Sequence, residues 1–262
     1  MWIERLARLG YAAKGIVYAI VGVLAVQAAF GQGGRTTDTQ GALTTIASQP
    51  FGKFLLALVA VGLVGYSLWR FVEAWADPDN KGSDAKGLAT RFGYAISGLI
   101  YAGLAFSAIG LILGTGGGGG GDNTQQDWTA KVLAQPFGQW LIGLLGALII
   151  GIGFYQFYKA YSAKFRKEWK LREMSSQEDT WATRIGRFGL AARGVVFVMT
   201  GFFLIQAARQ SDASEVRGLD GALQALAQQA YGKWLLAIVA LGLVAYGLYM
   251  GVQARYRRIS SH

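Results

Sequence analysis

The chain has 262 residues, a hydrophobic share of 53%, a net charge of +10 and one histidine, His262. It contains no cysteine, which excludes disulfides, thiolate metal sites and a cysteine nucleophile. No internal histidine, no G-x-S-x-G elbow and no pair of intramembrane acids is present, so the expectation is a non-enzymatic protein with no cofactor and no metal.

The chain opens with MWIERLARLG, where Trp2, Leu6 and Leu9 recur on one helical face beside Arg5 and Arg8. This is an interfacial pattern, with an apolar stripe toward lipid and basic residues at the headgroups. An apolar run over 11–30 follows, close to the ~20 residues that cross a hydrocarbon core. It lacks an A-x-A cleavage pattern and reappears later in the chain, so it reads as a span and not a signal peptide. Next, DTQGALTTIASQPFG is a short amphipathic turn of helix carrying Leu43 and Ile46. Pro50 marks the start of the helix over the second run, 54–72, because the first N–H groups of a helix have no intrahelical partner. Arg70 and Glu73 close that run.

The pair of elements then recurs twice. RFGYAISGLIYAGLA, from Arg91, begins the run 94–113. GTGGGGGGDN (114–123) lacks the G-K-[ST] ending of a phosphate loop and reads as a flexible connector. It leads to DWTAKVLAQPFG, with Pro136, and the run 140–158. The basic linker KAYSAKFRKEWKLREM (Lys159 to Met174) interleaves Phe165 and Trp169. Anionic lipid explains such a segment next to a span better than nucleic acid does. TWATRIGRFG then repeats the opening pattern through Trp181, Ile185 and Phe188, after Ser175 and Glu178 at capping-box spacing. The runs 188–208 and 234–252 flank LDGALQALAQQAYG, in which Leu223 and Leu226 match Leu43 and Ile46.

The sequence therefore predicts an all-α polytopic membrane protein: one membrane domain, 1–262, of six transmembrane helices in three two-helix repeats, 1–76, 84–162 and 178–258. The units are expected to share one orientation around a pseudo-threefold axis. Arg8, Arg91 and Arg187 are equivalent, as are Lys14, Ser97 and Arg193. Gly52, Gly138 and Gly232 are equivalent helix-packing glycines. Small-xxx-small pairs at Gly15/Ala19, Gly98/Ala102 and Ala147/Gly151 add further packing surface. Arg70 and Glu73 break the symmetry against Gln156/Lys159 and Met250/Gln253, marking an asymmetric polar site or a local ion pair.

Nineteen of the 25 Lys and Arg residues fall on the side of the termini and inter-unit linkers, against six in the loops within units. Acidic residues divide nine to six, so the first side carries the whole net charge. The positive-inside rule then places both termini in the cytoplasm.

Basic residues and aromatics concentrated at the interfaces favour a lipid-interacting protein or an accessory subunit of a membrane complex. Its expected partners are anionic lipids on the cytoplasmic side and a membrane protein, with no nucleic acid. Arg8, Arg91, Arg187, Lys14 and Arg193 are the candidate contacts to lipid phosphate or to neighbouring spans, although topology-setting arginine and snorkelling lysine are the simpler accounts. The alternative is a channel or transporter for a small solute along the pseudo-threefold axis.

The repeated R-x-G-Y-x-A-x-G segment, followed by Q-P-F-G and an apolar span, resembles a bacterial family of six-span membrane proteins known only as a domain of unknown function. Leu190 replaces the tyrosine of the first motif in the third unit, and Ala230-Tyr231 replace Pro-Phe in the second. The resemblance implies a fold and a membrane location, and no catalytic residues. Mitochondrial carriers share the plan of three two-span units, but their P-x-[DE]-x-x-[KR] signature is missing here, so that analogy is one of geometry alone.

Overall fold

The computed structural model describes residues 2–78, 81–115 and 121–259. The Trp2 and Asn123 side chains, residues 116–120 of the glycine-rich connector and His262 lie outside the described residues. Those described form nine α-helices: α1 (Trp2–Ala29), α2 (Thr39–Ala47), α3 (Gly52–Trp75), α4 (Ala85–Leu113), α5 (Gly121–Leu133), α6 (Gly138–Ser162), α7 (Ser176–Gln210), α8 (Leu219–Ala227) and α9 (Gly232–Tyr256). Six of them, α1, α3, α4, α6, α7 and α9, are long and apolar enough to cross a membrane, so this is a multi-pass membrane protein.

Local chemistry sets the boundaries. Asp38 and Asp84 cap α2 and α4 by accepting from the Gly41 and Gly87 N–H groups. Ser175 and Glu178 form the expected capping box of α7. The helix it starts runs unbroken to Gln210, so the interfacial segment and the span are one element.

The Q-P-F-G motif works differently from a proline at a first helical turn. Phe51 and Phe137 take left-handed backbone, at φ 59° and 67°, and α3 and α6 begin one residue later. In all three units the glycine N–H donates to the glutamine carbonyl of the motif, Gly52 to Gln49 (2.7 Å), Gly138 to Gln135 (3.0 Å) and Gly232 to Gln229 (2.8 Å). A Cβ on Gly52 would lie 2.5 Å from the Ile46 carbonyl oxygen, and one on Gly232 2.9 Å from that of Leu226. These glycines let a short helix abut the span that follows it, so the contact they serve is a corner within each unit.

Between units, one interface recurs. The second span of each unit packs on the first span of the next: α3 on α4, α6 on α7 and α9 on α1. Repeat-equivalent small residues make the closest approach. Gly15 meets Gly247, where a Cβ on either would come within 2.7 Å of the other's carbonyl oxygen. Gly194 meets Gly153 in the same way, and at the third interface the Ser67 hydroxyl donates to the Gly98 carbonyl (2.8 Å). Gly151, by contrast, faces open space.

Within units the pattern is uneven. α1 packs on α3 and α7 on α9, but the two spans of the middle unit share no comparable interface. The recurrence therefore lies in the interfaces between units, and the spans pack in the order α4, α3, α1, α9, α7, α6, with no comparable contact between α4 and α6. α1 and α9 form the buried centre of the bundle, and α4 and α6 are its most exposed spans.

Candidate functional site

One end of the bundle carries both termini and the inter-unit linkers, and the three motif arginines lie there. The last carbonyls of a helix lack intrahelical partners and carry the negative end of its dipole, so a guanidinium suits them. Arg8 donates to the Ala254 carbonyl (2.7 Å) and to that of Arg255, at the end of α9, and pairs with Glu4 (2.8 Å). Arg91 donates to the Ala74 and Trp75 carbonyls, both at 2.8 Å, at the end of α3. Arg187 sits at the matching place beside Ala160 and Tyr161 of α6, but it is exposed and makes no hydrogen bond or ion pair among the described residues.

Arg91 and Arg187 each border an open groove on the outside of the bundle, built largely from equivalent residues. The first, about 650 Å³, is walled by Phe71, Trp75, Leu88 and Phe92; the second, about 680 Å³, by Phe157, Tyr161, Phe188 and Ala191. The walls are apolar, and the arginine stands at the linker end.

Deeper in the bundle, Lys14 and Arg193 come together around tyrosines. Lys14 is 3% exposed, donates to the Tyr66 hydroxyl (2.9 Å) and lies over the Tyr66 and Tyr101 rings at 4.6 and 4.7 Å. Arg193 donates to the Tyr246 hydroxyl (2.8 Å) and stacks over Tyr246 and Phe197, both at 4.8 Å. Tyr66 and Tyr246 are themselves repeat-equivalent, and Tyr18 packs edge-on against Tyr246. Ser97, at the same repeat position as the two cations, leaves the middle unit without one.

The Arg70–Glu73 pair is part of a larger network. Arg70 pairs with Glu73 (2.7 Å) and donates to the Tyr66 hydroxyl. Glu73 is fully buried and also accepts from Arg257 (2.7 Å), which reaches on to Glu168 (3.2 Å). Burial pushes the Glu168 carboxyl up, but the Lys159 and Arg257 charges outweigh that and hold it down at about 2.

The linker between the second and third units also departs from its expected role. Phe165 and Trp169 are fully buried and pack edge-on against each other at 5.3 Å, and Phe165 packs edge-on against Tyr249. The Trp169 indole donates to Gln253, which donates to the Tyr249 hydroxyl. The linker backbone pairs with the end of α9 and the residues after it, Lys170 N–H to the Tyr256 carbonyl (2.7 Å) and Arg258 N–H to that of Glu168 (2.8 Å). Its aromatics are core, and part of its basic charge is neutralised within the protein: Arg166 pairs with Asp179 and Lys170 with Glu173.

Among known proteins, residues 9–77, 92–163 and 188–257 match the family described as Domain of Unknown Function (DUF1206). The chain is 42% identical over 259 residues, 99% of its own length and 93% of the relative's, to the uncharacterized protein YxxB of Bacillus subtilis (strain 168). No solved structure matches it.

Proposed function

The chain belongs to the DUF1206 family, and from that premise we propose that it is a non-enzymatic protein of the bacterial inner membrane that binds anionic phospholipid, both termini facing the cytoplasm. The carrying observation is the difference between two equivalent grooves. In one, Arg91 is occupied by the carbonyls of α3; in the other, Arg187 is exposed and uncommitted above an apolar wall. A phosphodiester on Arg187 with an acyl chain along Phe157 and Phe188 satisfies both parts of that groove, and a planar fork suits two phosphate oxygens. The unbroken course of the six long helices argues for this role over solute conduction, which commonly uses interrupted helices.

Reconstitution tests the proposal. Phosphatidylglycerol should raise the unfolding temperature of the parent more than phosphatidylcholine does, and R187Q should remove the difference. Equal stabilisation by both lipids in the parent would end the lipid assignment. For orientation, a single cysteine at exposed Gln32 should react from outside, while those at exposed Ser83 and Ser176 react only after permeabilisation. Labelling of Ser83 in intact cells would invert the topology.

A further inference from the structure

The interior of the bundle holds more positive charge than it pairs. Lys14 and Arg257 are buried and Arg70 and Arg193 half-buried, and the one buried acid among the described residues, Glu73, is shared between Arg70 and Arg257. Lys14 and Arg193 form no ion pair among the described residues; their contacts are tyrosine hydroxyls and aromatic faces. A cation removed from water is costly unless it is paired. The Nε of Arg193 is buried and has no hydrogen-bond partner among the described residues.

Arg193 is one of the residues lining a cavity of about 160 Å³. Tyr18 of α1, Ile149 of α6, Val196, Phe197 and Thr200 of α7 and Leu243 of α9 form its sides, and Gln125 and Leu219 close the end away from the linkers. One fork of positive charge at the wall of a small, mainly apolar chamber suits a ligand with one anionic head and a short hydrocarbon body. A multiply charged inorganic anion would find a single guanidinium and leave Ile149, Val196 and Leu243 against charge.

We propose that this cavity binds a small organic monocarboxylate, its carboxylate on the Arg193 guanidinium and its body against Tyr18, Phe197 and Leu243. Lys14, 5.8 Å from the Tyr246 ring, adds to the local field. The site shares no lining residue with the groove at Arg187 and lies between α1, α6, α7 and α9.

Equilibrium dialysis of the purified full chain with radiolabelled benzoate tests it, with neutral benzamide as the uncharged isostere. The parent should bind one benzoate per chain saturably and benzamide at least tenfold more weakly. R193K places at this position the residue that the first unit already carries there, and it should lower benzoate affinity at least tenfold by removing the fork. T200F should abolish binding by filling the cavity while leaving Arg193 in place; thermal unfolding reports whether it folds, and if it does not, R193K alone decides. R187Q should bind benzoate as the parent does, which separates this site from the lipid groove. No saturable binding by the parent at concentrations beyond about 10 mM, weaker than ordinary millimolar recognition, would overturn the proposal. So would benzamide binding equal to benzoate, or unchanged affinity in R193K.

Discussion

The outer two units and the middle unit carry the same motifs and pack differently. In the outer units the motif glycine lies against the backbone of a tyrosine on the second span: a Cβ on Gly10 would sit 2.5 Å from the Tyr66 nitrogen, and one on Gly189 2.5 Å from that of Tyr246. In the middle unit Gly93 has nothing within 4 Å, and Ile152 stands where the tyrosine would be. Tyr66 and Tyr246 also carry the Lys14 and Arg193 contacts, and Ser97 supplies no cation to call for one. The hairpin of the outer units thus closes over a tyrosine–cation contact that the middle unit lacks. Repeated motifs fix which spans meet between units, and a few side chains decide whether a hairpin closes.

The largest test of this contrast is at Glu73, whose counterparts are Lys159 and Gln253. E73Q leaves the Arg70 and Arg257 guanidiniums buried without their shared carboxylate, and should cost on the order of 3–5 kcal/mol in reversible unfolding. A loss no larger than that of a surface substitution would show that the network is not a support of the outer units.

The glycine pair sharpens the contrast at a single repeat position. G10L and G189L should each overpack a closed hairpin and cost on the order of 1–3 kcal/mol. G93L, at the same motif position, should stay within about 0.5 kcal/mol of the parent. Equal effects at all three sites would mean that the middle hairpin is as closed as its neighbours.

A smaller effect separates the folded linker from an exposed one. The Glu168 carboxyl has its folded value lowered to about 2 from an ordinary 4.5. Its contribution is therefore fully present above the ordinary value and is lost as pH falls through about 2. Pepsin cleavage within 164–174 should be slow near pH 4 and accelerate toward pH 2, whereas E168Q should be cleaved readily at both. Rapid cleavage of the parent near pH 4 would place the linker off the bundle.

The six spans and the three units were legible because apolar length and motif register are local signals. The α7 capping box was legible for the same reason. The partners of the arginines were not, since Arg8 reaches carbonyls 246 residues away and nothing in its own segment names them. The linker was misread for a physical reason: Phe165 and Trp169 among basic residues have the composition of a headgroup-binding segment, and only burial against Tyr249 shows otherwise. The tyrosine–cation cluster had a usable signal in the recurrence of Tyr66 and Tyr246 and its interruption at Ile152. Arg257 had none, because its partner Glu73 lies two units away in the chain.

The account rests most directly on the inequality of two arginines that the repeat makes equivalent. Native mass spectrometry of R91Q and R187Q, extracted from the same membranes as the parent, measures it. R187Q should lose its retained phosphatidylglycerol, whereas R91Q should keep the lipid and lose thermal stability, since its guanidinium caps α3. Equal retention by R187Q and the parent would contradict the lipid assignment, and loss of lipid from R91Q alone would place the site in the other groove.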